Sequence, residues 1–227
     1  MKTVYIDGNS LTIMDLINVS RNNAPVQITE TAISKIKESR AVVDEFVDNE
    51  EVVYGITTGF GKFSDVNISK DDTEALQTNL IRSHACGVGN PFTEEIVRGG
   101  MLLRANALAK GYSGIRIETL EVLIEMLNKG VHPVIPEKGS LGASGDLAPL
   151  AHMVLVMLGE GEAYYKGERM SGKEAMKKAN ISTIKLTSKE GLALINGTPI
   201  MTAVGAITAY DALNLAMAGT LDLDHSA

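Results

Sequence analysis

The chain has 227 residues, of which 44% are hydrophobic and 22% charged, with a formal net charge of −7. A soluble chain of that length can bury roughly 70% of its unfolded surface, which supports a substantial core and excludes disordered or collagen-like states. The acidic balance, with no stripe of Lys and Arg, argues against a nucleic-acid partner, because binding to phosphates draws on clustered cations. Aromatic residues make up 4%, Trp is absent, and 10 Met and 22 Gly are present. This mixture suits close helix packing. It predicts a mainly α, helical bundle-type fold with small strand or hairpin elements near the N-terminus and around 163–170.

Val4 and Ile6 alternate ahead of Asp7-Gly8, which predicts a short strand and a turn. Thr12 and Asp15 form a capping box for a helix through Val19, closed by Asn22, Asn23 and Pro25. After Thr29, the residues Ile33, Ile36, Val43 and Val47 recur at helical spacing with Lys35, Lys37 and Glu38 opposite, the pattern of an amphipathic surface helix. The stretch Tyr54-Gly55-Ile56-Thr57-Thr58-Gly59-Phe60-Gly61 breaks the pattern. An interior Gly costs about 1 kcal/mol relative to Ala in a helix, so this stretch is expected to be a shaped loop. Ser69 and Asp72 box the next helix, where Leu76, Leu80 and His84 share a face. Cys86 is the single cysteine and has no internal disulfide partner, and residues 1–10 lack a signal peptide's apolar run. A reducing, cytoplasmic location is expected.

Thr93, Glu94 and Glu95 open a helix through Met101, Arg104 and Leu108 to Gly111. Ile117, Leu120, Leu123, Ile124 and Leu127 form a stripe that stops at Gly130. Beyond Pro136, the loop Gly139-Ser140-Leu141-Gly142-Ala143-Ser144-Gly145-Asp146 leads into an apolar helix from about Leu147 to Leu158. That helix has no polar stripe and should be enclosed by protein. Tyr164 to Met170 around Lys166-Gly167 predicts a hairpin, and Ser171 with Glu174 and Thr187 with Glu190 are two further capping boxes. From Gly191 to Leu221 only Asp211 is charged, so length alone would allow a membrane span. Asn196-Gly197-Thr198-Pro199 interrupts it with a cap and a first-turn proline, and polar residues from Thr202 to Asn214 favour a helix buried in a bundle instead. In an isolated piece that helix would expose an apolar flank. No internal repeat or linker is visible, so residues 1–227 read as a single domain.

The 139–146 loop permits several readings. It lacks the lysine and Ser/Thr of a phosphate-binding loop, and Asp146 stands where a hydrolase elbow needs its second Gly. A tight turn with Asp146 capping the following helix is one possibility. Another is chemical. If the Gly145 nitrogen attacks the Ala143 carbonyl carbon, the backbone cyclises and loses one water; Ser144 then sheds its hydroxyl as a second, leaving a dehydroalanine-like alkene. Glycine suits the attacking position because it has no Cβ to block close approach. The product is an electrophile, which nucleophilic side chains cannot supply. His132, His152 and His225 show no metal-ligand spacing, and no metal is expected.

These residues resemble the aromatic amino acid ammonia-lyases, whose 4-methylidene-imidazol-5-one electrophile (MIO) arises from an Ala-Ser-Gly triplet. The likeness is carried by residues 139–152, by Tyr54 to Gly61, by Leu102-Leu103-Arg104-Ala105-Asn106 and by Leu194-Ile195-Asn196-Gly197-Thr198. It implies an MIO formed autocatalytically from Ala143, Ser144 and Gly145, with Asp146 shaping the turn and no external cofactor. The pair Ser83-His84 resembles the branch acting on histidine, since the tyrosine and phenylalanine enzymes typically place His-Leu or Phe-Leu there. A substrate imidazole can exchange a hydrogen bond with His84, whereas a phenyl ring needs an apolar wall. Tyr54 resembles the family's tyrosine near the substrate, a base or relay for the β-proton, and Asn196 the asparagine contacting electrophile or substrate. On local pattern alone, His84 reads equally as a core histidine bonded to a carbonyl, Tyr54 as a loop-shaping residue and Asn196 as a turn residue.

The resemblance further implies a small-molecule amino acid substrate, elimination of ammonia from L-histidine to give urocanate, and a homo-oligomer, tetrameric at full length. Family members are longer, so the chain reads as an N-terminal portion with the C-terminal half absent and an incomplete site. The alternatives are a catalytically silent helical fragment or assembly module, or a tyrosine or phenylalanine ammonia-lyase or aminomutase of the same family.

Overall fold

A computed structural model describes residues 2–58, 70–141 and 145–224. Strand β1 (Val4–Ile6) runs parallel to β2 (Val26–Ile28), pairing Val4 with Val26 and Ile6 with Ile28. Asn128 occupies the outer edge of β2, accepting from the Val26 N–H at 2.8 Å and donating to its carbonyl at 2.9 Å. Between the strands, α1 (Ile13–Ser20) starts with the expected box. The Asp15 N–H donates to Thr12 Oγ1 at 3.1 Å, and the Thr12 N–H donates to Asp15 Oδ2 at 3.0 Å. Helix α2 (Glu30–Asp48), capped by Thr29, buries Ala32, Ile36 and Val43. Helix α3 (Lys70–His84) buries Gln77 and Ile81 most deeply, with Leu76, Leu80 and His84 half-buried beside that line. Ser69, the first half of its expected cap, lies outside the described residues.

Helix α4 (Glu94–Ala109) is the central element, burying Val97, Met101, Leu102, Ala105 and Leu108 together with two cations, Arg98 and Arg104. It packs against α1, α5 (Ile117–Lys129) and α9 (Pro199–Asp224). Helix α5 buries the expected stripe and ends at Gly130. Strand β3 (Val88–Pro91) pairs antiparallel with β5 (Pro136–Lys138). Strand β4 (Val131–Pro133) extends the hairpin of β6 (Glu162–Tyr165) and β7 (Glu168–Ser171) into an antiparallel sheet ordered β4-β6-β7. Between them, α6 (Leu147–Met157) is buried except for Leu147, His152 and Leu155, as its unbroken apolar sequence requires. Helix α7 (Gly172–Lys178) follows, with Ser171 Oγ accepting from the Glu174 N–H at 3.3 Å.

Two expectations need correction. Thr187 does not cap α8 (Glu190–Ile195); the helix begins after Lys189 at φ 70°. Glu190 is fully buried, and its carboxylate accepts from the Thr187 N–H at 2.9 Å, the Arg116 N–H at 3.1 Å, Arg116 Nη2 at 2.7 Å and Thr119 Oγ1 at 2.6 Å. The Glu190 side chain therefore makes only the return half of the expected box, to the Thr187 N–H and hydroxyl, and also ties α8 to the start of α5. Helix α9 is also not enclosed along its length. Ile200, Ala203 and Ile207 are buried against one side, while Leu213, Leu215 and Met217 are exposed. Arg21, just past α1, holds the middle of α9 through two 2.6 Å bonds to Asp211, and a third 2.6 Å bond joins it to Glu95 on α4. Pro199–Gly219 is long and apolar enough to cross a membrane, and 17% of its apolar window is buried.

Arg98 donates to the carbonyls of Val19 and Leu127 at 2.9 and 3.1 Å, and its Nη1 lies 3.0 Å from His132 Nε2. Since a guanidinium only donates, His132 Nε2 accepts and the ring is neutral. Glu94 Oε1, 3.6 Å from His132 Nδ1, is too distant for a hydrogen bond and has no ring charge to pair with. Burial, reinforced by the Arg98 charge, pushes the His132 pKa down to about 4. The unfolded ring takes its proton near pH 6.5 and the folded ring only near 4. The contribution of neutral His132 is therefore complete above pH 6.5 and is lost as pH falls through that window. Urea unfolding is expected to show roughly 2 kcal/mol less stability at pH 5 than at pH 7 from this group, and His132→Gln should remove that increment. An identical pH slope in the variant would contradict the assignment.

Candidate active site

Ala143 and Ser144 lie outside the described residues, and the site is built from what surrounds them. Gly145 forms a parallel bridge with Gly197, and the Asp146 N–H donates to the Gly197 carbonyl at 3.1 Å. Gly145 has φ +77°, and a Cβ there would stand 2.6 Å from Thr198 Cγ2, so the position that must attack in the cyclisation is one where a side chain has neither room nor a relaxed backbone. Asp146 departs from expectation. It occupies the N-cap position of α6 but makes no side-chain bond to that helix. Its carboxylate, 1% exposed, accepts from Ser140 Oγ at 2.9 Å and from the Met201 N–H at 2.9 Å. It thus caps α9 from a distance, where Pro199 has no N–H and an anion meets the positive end of the helix. The residues before the tripeptide and the helix after Asn196 are joined through one carboxylate.

The other flank of the loop is tied to the chain leaving α3. The Gly87 N–H donates to His152 Nε2 at 3.0 Å, and Val88 in β3 is paired with Lys138 in β5. Burial lowers the His152 pKa, consistent with a neutral ring that accepts at Nε2. Three residues before Gly87, half-buried His84 has Nδ1 2.8 Å from the Leu80 carbonyl and 3.0 Å from Ser83 Oγ. A carbonyl only accepts, so Nδ1 carries the proton and Nε2 is left as an acceptor. Ser83 is exposed and its hydroxyl donates to the same carbonyl at 2.8 Å. Arg82 grips Glu160 with two bonds of 3.0 and 2.5 Å, fixing the last turn of α3 against the segment after α6.

Asn196 ends α8 with an exposed side chain, its N–H donating to the Leu192 carbonyl at 3.0 Å. Tyr54 belongs to a different stretch, a turn over residues 54–57 held by bonds from the Ile56 and Thr57 N–H groups to the Val53 carbonyl, and it is 60% exposed. The described geometry therefore brings Gly145, Asp146 and the Asn196–Gly197 turn together and sets Ser83–His84 on the adjoining helix end. Sequence reasoning left Arg104 as a motif letter and His152 as the end of a matching run. A cation in phase with Met101, Ala105 and Leu108 on α4 was the available signal for Arg104. Among the described residues, no group of three or more His, Cys, Asp and Glu side chains could hold a metal ion.

Residues 11–221 match the family described as aromatic amino acid lyase, and the chain belongs to that family. It is 70% identical over 215 residues to a protein of Alkaliphilus oremlandii named histidine ammonia-lyase, a match covering 95% of this chain and 42% of that protein. The crystal structure of histidine ammonia-lyase from Trypanosoma cruzi is similar at a TM-score of 0.83 and 41% identity, over 91% of this chain and 39% of that one. The phenylalanine aminomutase of Pantoea agglomerans is similar at a TM-score of 0.85 and 36% identity, over 94% and 41%. The chain thus spans less than half the length of these relatives.

Proposed function

We propose that the protein to which this chain belongs eliminates ammonia from L-histidine to give urocanate, using an MIO made from Ala143, Ser144 and Gly145. The observation that carries the substrate choice is the 70% identity to a relative named histidine ammonia-lyase, against 36% for the aminomutase. The MIO, once formed, supplies an electron sink that makes the amine a better leaving group. Its segment would be held by the Asp146 carboxylate on one side and by Gly197 and Thr198 on the other, and the glycine-only geometry at Gly145 fits that demand.

His84 presents an Nε2 lone pair to the imidazole N–H of the substrate, with the Leu80 carbonyl and the Ser83 hydroxyl holding its Nδ1. Tyr54 takes or relays the β-proton, and Asn196 orients the substrate from the turn that carries Gly197. The substrate carboxylate is met by residues beyond this segment, in a cytoplasmic homotetramer, and α9 packs against protein rather than lipid. Residues 1–227 act as one domain of that enzyme.

The test uses the segment joined to the C-terminal remainder of the Alkaliphilus oremlandii relative, with urocanate absorbance as the readout. His84→Leu should lower kcat/KM for histidine relative to phenylalanine on the order of 10²-fold, because a site built to receive a ring N–H loses its partner. An unchanged preference would remove the role given to His84.

A further inference from the structure

Arg104 is a buried cation, 6% exposed, with no carboxylate partner among the described residues. Its guanidinium donates instead to two backbone carbonyls, from Nη1 to Asn196 at 2.9 Å and from Nη2 to Ala193. Its Nε has no hydrogen-bond partner among the described residues. Burying a charge on neutral carbonyls is costly, and burial alone lowers the Arg104 pKa to about 10. Gly197, at φ +153°, leaves no space beside it: a Cβ would stand 2.6 Å from Arg104 Nη1. The same Gly197 faces Gly145 across the parallel bridge and accepts from the Asp146 N–H. A single turn is thus clamped from below by Arg104 and paired above with the end of the tripeptide.

Resting on the proposed lyase reading, we propose that Arg104 is a positioning residue, whose clamp on the Ala193 and Asn196 carbonyls holds the Asn196–Gly197 turn in register with Gly145. It touches neither substrate nor electrophile. The clamp serves two ends: it keeps Gly145 backed by a fixed peptide while the tripeptide closes, and it sets where the Asn196 amide stands when substrate is bound. The Asn196 N–H closes α8 on Leu192, and Arg104 takes the Ala193 and Asn196 carbonyls that this bond leaves open.

The test compares Arg104→Gln and Arg104→Lys in the completed chain, measuring three quantities: the fraction of molecules whose 143–145 peptide has lost two waters, kcat and KM per dehydrated site, and the melting temperature. Arg104→Gln is expected to slow dehydration and to lower kcat per dehydrated site about 10²-fold, the size of effect that a misplacement near 1 Å produces, with KM little changed. Arg104→Lys should recover part of the kcat, since an ammonium can still donate to one of the two carbonyls. Gly197→Ala, which crowds the clamp from the other side, should reproduce the Arg104→Gln pattern. A folded Arg104→Gln enzyme with unchanged dehydration and kcat overturns the inference. So does failure of both Arg104 variants to fold, which would make Arg104 a stability residue. An unsubstituted parent that makes no urocanate would instead overturn the lyase reading itself, so the two failures are told apart.

Discussion

Ser144→Ala in the completed enzyme is expected to reduce urocanate formation by at least about 10³-fold, equivalent to about 4 kcal/mol of transition-state stabilisation, while leaving the folded state in place. The reason is one of atoms. Cyclisation between residues 143 and 145 expels one water from the backbone, but the alkene needs a second, and that water is the Ser144 hydroxyl. Without it no conjugated electrophile forms. The substitution removes a single oxygen and leaves the supports described for the turn untouched: Asp146 on Ser140 and Met201, and Gly197 on Gly145 and Arg104. Circular dichroism should therefore overlay on the parent. A Ser144→Ala enzyme turning over at the parental rate would reject the electrophile.

Glu190→Ala is expected to have the largest effect on stability, about 3 kcal/mol, because it removes a fully buried acceptor and leaves buried donors unsatisfied. Five donors lose this acceptor together: the N–H groups of Thr187 and Arg116, Arg116 Nη2 and the Thr187 and Thr119 hydroxyls. Arg116 would keep its Nη2 bond to the Lys185 carbonyl, while its Nε is a buried donor without a partner among the described residues, so the main loss falls on the buried N–H and hydroxyl donors. Glu190→Gln, which keeps one oxygen acceptor and the volume, should cost less. Because Glu190 begins the short helix that ends at Asn196, lost stability should be accompanied by lost activity. Urea unfolding checks this directly; a midpoint shift worth under 1 kcal/mol for Glu190→Ala would show that the network is not structural.

Local physics made the helices readable. The α5 stripe from Ile117 to Leu127, the reciprocal cap of Thr12 and Asp15, the apolar run of α6 and the hairpin around Lys166-Gly167 are each decided by residues within a few positions of one another. What escaped was set at long range. Strands β2 and β4 are short stretches defined by partners elsewhere in the chain. Thr187 and Glu190 have the spacing of a capping box, yet Arg116 and Thr119 decide where that carboxylate goes. Asp146 precedes a helix and reads as its cap, but the free N–H that draws its carboxylate belongs to Met201. The same holds for the site: Ala143-Ser144-Gly145 is legible as a tripeptide with the atoms for the proposed cyclisation, whereas the Arg104 clamp on the Asn196 turn exists only once α4 and α8 are side by side.

We propose that the chain makes its own electron sink. Mass spectrometry of the proteolytic peptide containing residues 143–145, taken from the completed, active enzyme, tests it most directly. The peptide is predicted to be lighter than its sequence by two waters, with both losses confined to those three residues and the second missing in Ser144→Ala. A peptide of full, unmodified mass from enzyme that still produces urocanate would contradict the account.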